Sequence, residues 1–155
     1  MTVLVDTNVL LRGVQFSHPM RQTADDALTR LRQDGHTLCV VPQVVCELWV
    51  VATRPVVAKN GLGKTPAEAA LMVGVILSTF RLLPDSEDIF PAWRALVTTH
   101  AVSGKPAHNA RLVAAMQVHG VTHLLTFNVT DFSRFPVTAL DPAAVAVAPT
   151  APPAP

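Results

Sequence analysis

The most informative pattern in this chain is an apolar run at its start that ends in an acid. Residues 3–5 are Val-Leu-Val, which favour a buried strand, and Asp6 follows them directly. Thr7 and Asn8 are residue types that begin helices, so a helix is predicted to start where the strand ends. Ligands bind at this edge of open α/β sheets. Asp6 is therefore either a site residue or a carboxylate that only accepts backbone N–H bonds at the helix start.

Helix-like and strand-like segments alternate along the rest of the chain. Apolar residues at helical spacing predict an amphipathic helix over 21–32, and Thr65 with Glu68 forms a capping-box pattern at the start of another helix. Further helices are predicted from Pro42, from residues 85–86 and over 107–119, and short strands over 37–41, 81–83, 121–127 and 137–140. This alternation predicts an α/β fold with helices on both faces of a parallel sheet of four or five strands.

The composition is that of one domain in a chain of 155 residues with a formal net charge of +1. That charge neither indicates nor excludes nucleic-acid binding. Cys39 and Cys46 lie in apolar stretches, and we expect both to be small buried residues in a reducing compartment. No leader and no apolar run of transmembrane length is visible, so the expectation is a cytoplasmic protein with no membrane contact.

Composition changes after Asp141. Residues 142–155 are only Pro, Ala, Val and Thr, and they include five of the 13 prolines. Proline offers no backbone donor, so this segment predicts a disordered tail outside a domain formed by residues 1–141. Its removal is expected to leave stability nearly unchanged.

Glu47 is the only ionisable residue in the apolar segment 44–52. Burying a carboxylate there costs several kcal/mol unless it is paired or binds a metal. The alternative is a solvated helix face that Glu47 shares with Gln43 and Arg54.

Polar residues also open a later helix and end a later strand. Asn109 begins the apolar stripe of the helix over 107–119, although it could instead cap its own turn. Thr126, Asn128 and Asp131 follow an apolar strand as Asp6 follows the first, although an ordinary loop exit with Asp131 in an Asx turn has the same pattern.

Carboxylates gathered at one sheet edge cannot all ionise unaided, and binding of Mg²⁺ or Mn²⁺ would offset their mutual repulsion. The chemistry that this suggests is metal-assisted hydrolysis of a phosphodiester.

Four motifs in this order resemble the PIN-domain ribonucleases of the VapC toxin family. They are Val-Asp-Thr-Asn at 5–8, Val-Pro-Gln-Val-Val-Cys-Glu-Leu at 41–48, His-Asn-Ala-Arg-Leu-Val-Ala-Ala at 108–115 and Leu-Thr-Phe-Asn-Val-Thr-Asp-Phe at 125–132. The resemblance covers residues 3–140. It implies a PIN-like three-layer α/β/α sandwich with strand order 3-2-1-4-5, and a Mg²⁺-dependent (or Mn²⁺-dependent) endoribonuclease that hydrolyses RNA, forms a homodimer and is inhibited by a cognate antitoxin.

Carried over residue by residue, the resemblance assigns a metal-binding catalytic site. Three acids match those of the family, and the matching supporting polar positions are Asn8, Thr126 and Asn128. The acids are Asp6, Glu47 and Asp131. Asn109 stands where the family usually has a further acid. An amide can still bind a metal through its oxygen, but it brings no charge, so this chain is expected to be an impaired nuclease.

Two other functions fit the same residues. One is a non-catalytic PIN-like module that binds RNA or protein without cleavage, which Asn109 favours. The other is a phosphate-responsive α/β regulator. Such a protein is expected to have a lysine at the end of a late strand, whereas Lys105 lies in a predicted loop.

Apolar residues over 71–80 favour the homodimer interface. Candidate RNA contacts are the basic residues Arg12, Arg54, Lys59, Lys64 and Lys105.

Overall fold

A computed structural model of the chain describes residues 1–58 and 60–148. Within these ranges, five parallel strands form one sheet in the order β3-β2-β1-β4-β5. The strands are β1 (Thr2–Val5), β2 (Thr37–Val40), β3 (Arg81–Leu82), β4 (His123–Leu125) and β5 (Thr138–Leu140). The predicted parallel sheet and its implied strand order are confirmed.

Helices cover the sheet and give the three-layer α/β/α sandwich that the resemblance implied. Over the same ranges they are α1 (Thr7–Val14), α2 (Arg21–Gln33), α3 (Pro42–Thr53), α4 (Pro66–Thr79), α5 (Ile89–Thr99), α6 (Ala107–Val118) and α7 (Pro142–Val147). A short 3₁₀ helix spans Val129–Phe132. Helix α5 packs on α6, and α2 contacts both α1 and α7.

The central strand β1 owes its place to its apolar side chains. Val3, Leu4 and Val5 are all fully buried, as expected of a parallel strand covered on both faces. Val5 pairs with Leu125 of β4, and the N–H of Asp6 continues that pairing to the Leu125 carbonyl at 3.0 Å. This register sets the residues that follow β1 beside those that follow β4.

Side chains define two helix starts. The capping box at α4 is confirmed, because the Thr65 hydroxyl accepts from the Glu68 N–H and the Glu68 carboxylate accepts from the Thr65 N–H. At α1 the cap is Asp6, whose carboxylate accepts from the Thr7 N–H. Thr7 is thus the first residue of the helix, and its hydroxyl is left for another partner.

The segment after Asp141 does not behave as its composition predicted. Residues 142–147 form α7, capped by Asp141, with Pro142 buried and Val145 packed against the core. An Arg30 guanidinium nitrogen donates to the Ala148 carbonyl at 2.7 Å. The prediction of a tail outside the fold is therefore wrong for residues 142–148, since Pro142 suits the first helical turn and α2 offers a surface. Residues 149–155 lie outside the described ranges.

Helix α3 is less buried than its apolar sequence suggested. Only Val44, Leu48 and Ala52 are buried in it, and Cys46 is exposed. The prediction that both cysteines are buried is therefore wrong for Cys46, because it sits on the α3 face turned away from the sheet.

Where the structure describes the chain, no helix has the length and apolar character needed to cross a membrane.

Candidate active site

All four residues predicted for the site line one cavity of about 460 Å³ at the carboxyl edge of the sheet. They are Asp6, Glu47, Asn109 and Asp131. The elements that present them are the end of β1, helix α3, the first turn of α6 and the 3₁₀ helix. The structure thus brings together residues that are far apart in sequence, while their roles in metal binding and catalysis stay predictions.

Asp6 is held by the neighbouring strand end. Its Oδ2 accepts from the Thr126 hydroxyl at 2.6 Å and from the Asn8 amide at 2.8 Å. The same Asn8 amide donates to the Thr126 hydroxyl, and its oxygen accepts from the Phe127 N–H. Thr126 is fully buried, and its hydroxyl also accepts from the Asn128 N–H. Two of the predicted supporting residues therefore hold Asp6 through their side chains, and Asn128 reaches the network through its backbone.

The environment of Asp6 makes its carboxyl group easier to protonate than it is in water. Burial raises the pKa of the Asp6 carboxyl to about 6, against the lowering effects of the hydrogen bonds from Thr126, Thr7 and Asn8, and the negative charge of Glu47 raises it further. Two carboxylates in one partly buried cavity repel each other when both are ionised. A divalent cation bound between them would offset this repulsion and favour the ionised form of Asp6.

Glu47 is fixed at both of its oxygens. Its Oε2 accepts from the Thr7 hydroxyl at 2.8 Å, and its Oε1 accepts from the Gln43 amide at 3.0 Å. Neither residue was predicted to support the site. The i, i+4 spacing of Gln43 and Glu47 could have indicated their hydrogen bond, but no local pattern could have indicated Thr7, which lies 40 positions away.

Basic residues stand at the rim of this cavity. Arg54 and Lys105 line it, and Lys105 also lines an adjoining cavity of about 450 Å³ that contains Arg134. The two cavities share Asn109, Asn128 and Asp131. Of the other predicted RNA contacts, Arg12 of α1 donates to the Gln15 side chain just after that helix, and Lys64 lines a separate pocket. Lys59 lies outside the described residues.

The donor chemistry of the main cavity fits a hard divalent cation. Carboxylate oxygens and an amide oxygen are the ligand types that Mg²⁺ and Mn²⁺ take, usually together with water. Over residues 1–58 and 60–148, no three Asp, Glu, His or Cys side chains are grouped closely enough to hold a metal ion by themselves. The paired acids are Asp6 and Glu47, so the amide of Asn109 and water would have to complete the set.

Several solved structures similar to this chain are toxin–antitoxin proteins. A chain of VapBC2 from Rickettsia felis, bound to a DNA fragment from its promoter, matches with TM-score 0.67 and 15% identity over 90% of this chain and 98% of its own. A chain of a Klebsiella pneumoniae toxin–antitoxin complex matches with TM-score 0.61 and 23% identity over 90% and 97%. VapC20 of Mycobacterium tuberculosis, a toxin that cleaves the sarcin–ricin loop, matches with TM-score 0.57 and 19% identity over 79% and 86%. At these identities the likeness shows a shared fold.

Sequence comparison gives the family. Curated protein sequences provide no significant match. The family model of the PIN domain matches residues 3–137, a range that contains all four predicted site residues and ends just before the last strand. This chain therefore belongs to the PIN domain family.

Proposed function

We propose that the chain is a metal-dependent endoribonuclease, the toxin of a toxin–antitoxin pair, that hydrolyses phosphodiester bonds in RNA. The observation that carries the proposal is the meeting of Asp6 and Glu47, from different elements, in a cavity that Asn109 and Asp131 also line. Fold likeness to VapC20, an RNA-cleaving toxin, supports the same reading.

The polar residues of the cavity divide into those that would bind the metal and those that hold the metal-binding side chains. Asp6 and Glu47 would hold Mg²⁺ or Mn²⁺, with the oxygen of Asn109 and water completing the ligands and Asp131 positioning a water molecule. An ion held there would lower the pKa of a bound water and would stabilise charge on the phosphate oxygens. Thr126, Asn8 and Thr7 keep the two carboxylates in place, so that little rearrangement is needed when the ion and the substrate bind.

The rim supplies positive charge for the RNA backbone. Lys105 lies where the main cavity meets the adjoining one, and Arg134 lies further along. Phosphate groups on either side of the cleaved bond would contact these cations, which fix the strand without reading its bases.

The proposal includes protein partners. Solved relatives of this fold are toxin–antitoxin complexes, so we include a cognate antitoxin as inhibitor. A homodimer is proposed through α4, whose Leu71 and Val75 are 74% and 62% exposed. Exposed apolar side chains of this size on one helix are typical of interfaces. A single species with the mass of the monomer in light scattering at high micromolar concentration would contradict the dimer.

Asn109 bears on how active this chain is. A neutral amide brings no charge to the ion, so metal binding and activation of water are expected to be weaker than with an acid at this position. The same residue favours a second candidate function, a PIN-like module that binds RNA or a protein partner without cleaving.

The test is Asn109→Asp, which adds one charge to the cavity. We expect Mn²⁺ affinity to rise at least tenfold, a change that needs about 1.4 kcal/mol, and RNA cleavage and toxicity without antitoxin to rise with it. Gln117→Glu is the matched control, because it adds a charge at an exposed position on the same helix. Mn²⁺ affinity would be measured by calorimetry and cleavage on a structured RNA.

One outcome would separate the two candidate functions, and another would contradict the proposed site. If Asn109→Asp binds Mn²⁺ tightly yet cleaves no RNA, the non-catalytic module is the better reading. If affinity, cleavage and toxicity all stay as in the unmodified chain, position 109 is not a metal ligand and the proposed site is wrong.

A further inference from the structure

Gln43 joins the two helices that carry Glu47 and Asn109. Its amide nitrogen donates to Glu47 Oε1 within α3 and to the His108 carbonyl in the first turn of α6, each at 3.0 Å. Its amide oxygen accepts from an Arg111 guanidinium nitrogen at 3.2 Å. The two donors and the oxygen of this amide are therefore all used, and two of the three bonds cross between helices.

The chemistry of these partners permits only one orientation of the amide. Arg111 can only donate, so the oxygen of Gln43 must face it. An ionised Glu47 and a backbone carbonyl can only accept, so the nitrogen must face them. The three contacts agree with one another, which removes the ambiguity that otherwise attends a glutamine side chain.

Arg111 is itself anchored away from the cavity. Its second terminal nitrogen contacts both oxygens of Asp85 at 3.2 Å, at the edge of a pocket lined by the aromatic residues Phe90 and Trp93. The cation thus reaches Glu47 only through a neutral amide. Because Asp85 pairs with Arg111 and Gln43 separates the guanidinium from Glu47, the carboxylate stays oriented without pairing directly with Arg111.

We propose that Gln43 is a positioning residue for the candidate metal site, held in place by Arg111. It turns Glu47 toward the cavity and keeps Arg111 off that carboxylate. Through the His108 carbonyl it also sets the first turn of α6, where Asn109 lies, relative to α3. The inference deepens the proposed function and rests on it for the identity of the bound ion. Groups that support a metal ligand by hydrogen bonding typically change metal affinity by about 10-fold to 100-fold when removed.

The experiment compares Gln43→Leu, Arg111→Met and the double variant in the full chain. Two properties are measured, namely the place of Glu47 in crystals of the metal-free variants and the Mn²⁺ dissociation constant by calorimetry. Gln22→Leu is the matched control, since Gln22 donates to Asp26 at the same i, i+4 spacing on the exposed face of α2. Circular dichroism establishes that each variant is folded.

Gln43→Leu is expected to release Glu47 from Thr7 and to weaken Mn²⁺ binding about tenfold. Arg111→Met should have a smaller effect of the same kind, and Gln22→Leu none. Because Arg111 acts through Gln43, the double variant should bind Mn²⁺ no more weakly than Gln43→Leu alone.

The proposal is overturned if Glu47 keeps its contact with Thr7 in Gln43→Leu, if that variant binds Mn²⁺ as the unmodified chain does, or if the two losses are additive. A different result identifies a failure of the proposed function. If neither the unmodified chain nor Asn109→Asp binds Mn²⁺, metal dependence is wrong, and the position of Glu47 in the metal-free variants then decides the role of Gln43.

Discussion

The Thr7 hydroxyl donates a 2.8 Å hydrogen bond to Glu47, linking residues 40 positions apart. Thr7 is the first residue of α1, and its own N–H donates to Asp6. One residue therefore contacts two of the three carboxylates of the cavity, through its backbone to Asp6 and through its side chain to Glu47. Thr7 is only 6% exposed, so water does not replace either bond easily.

Thr7→Val tests the side-chain part of this link, because valine has nearly the same shape and lacks the hydroxyl. We expect the free energy of unfolding to fall by about 1 kcal/mol, as for a typical lost hydrogen bond. Mn²⁺ binding should weaken as well, because Glu47 loses one of the two hydrogen bonds, from Thr7 and Gln43, that orient it. Urea unfolding and calorimetry measure these effects. Thr98→Val is the control, since that hydroxyl donates to the Arg94 carbonyl on the exposed face of α5, away from the cavity. Equal effects at both positions would contradict a special role for Thr7.

The raised pKa of Asp6 predicts an unusual dependence of stability on pH. The folded-state pKa is about 6 and the ordinary value is 3.8, so the folded chain retains this proton over a range where the unfolded chain has lost it. The stabilisation is fully present below pH 3.8 and is lost as pH rises through about 6, amounting to roughly 3 kcal/mol.

We expect the metal-free chain to lose stability relative to Asp6→Asn between about pH 4 and pH 7. Taking the difference from Asp6→Asn removes the contribution of other titrating groups. Added Mn²⁺ should stabilise the chain more at pH 7.5 than at pH 5, because it binds the ionised carboxylate. Unfolding in urea with a chelator, and then with Mn²⁺, measures both effects. A difference between the two chains that stays constant over this range would refute the desolvation of Asp6.

Helix α7 is predicted to contribute to stability through Val145. This side chain packs against the core, whereas Val147 in the same helix is 82% exposed. Val145→Ser should cost about 1 kcal/mol, because only part of a valine side chain is lost from the core, and should lower Tm by about 3 °C. Val147→Ser should leave Tm nearly unchanged. Equal Tm values for the two variants in thermal unfolding would show that α7 does not pack on the domain in solution.

Local patterns determined much of the fold. The apolar run before Asp6 predicted the central strand, and the Thr65–Glu68 pattern predicted the start of α4. These predictions succeed because a strand buried on both faces and a capped helix each depend on residues that are near one another in sequence. Asp6, Asn109 and Asp131 were recognised for the same reason, since each lies at or next to the end of a recognisable element, whereas Glu47 was recognised as the one acid in an apolar helix.

Only the tertiary structure decided how the cavity is held together and where the domain ends. The contacts of Glu47 with Thr7 and of Gln43 with the first turn of α6 depend on how α1, α3 and α6 pack, and side-chain hydrogen bonds between distant residues leave no periodic trace in a sequence. For α7, a helix of six residues is too short to be stable or to be recognised alone, and it becomes ordered because α2 packs against it. Propensity describes the chain in isolation, whereas burial depends on what the rest of the chain places beside it.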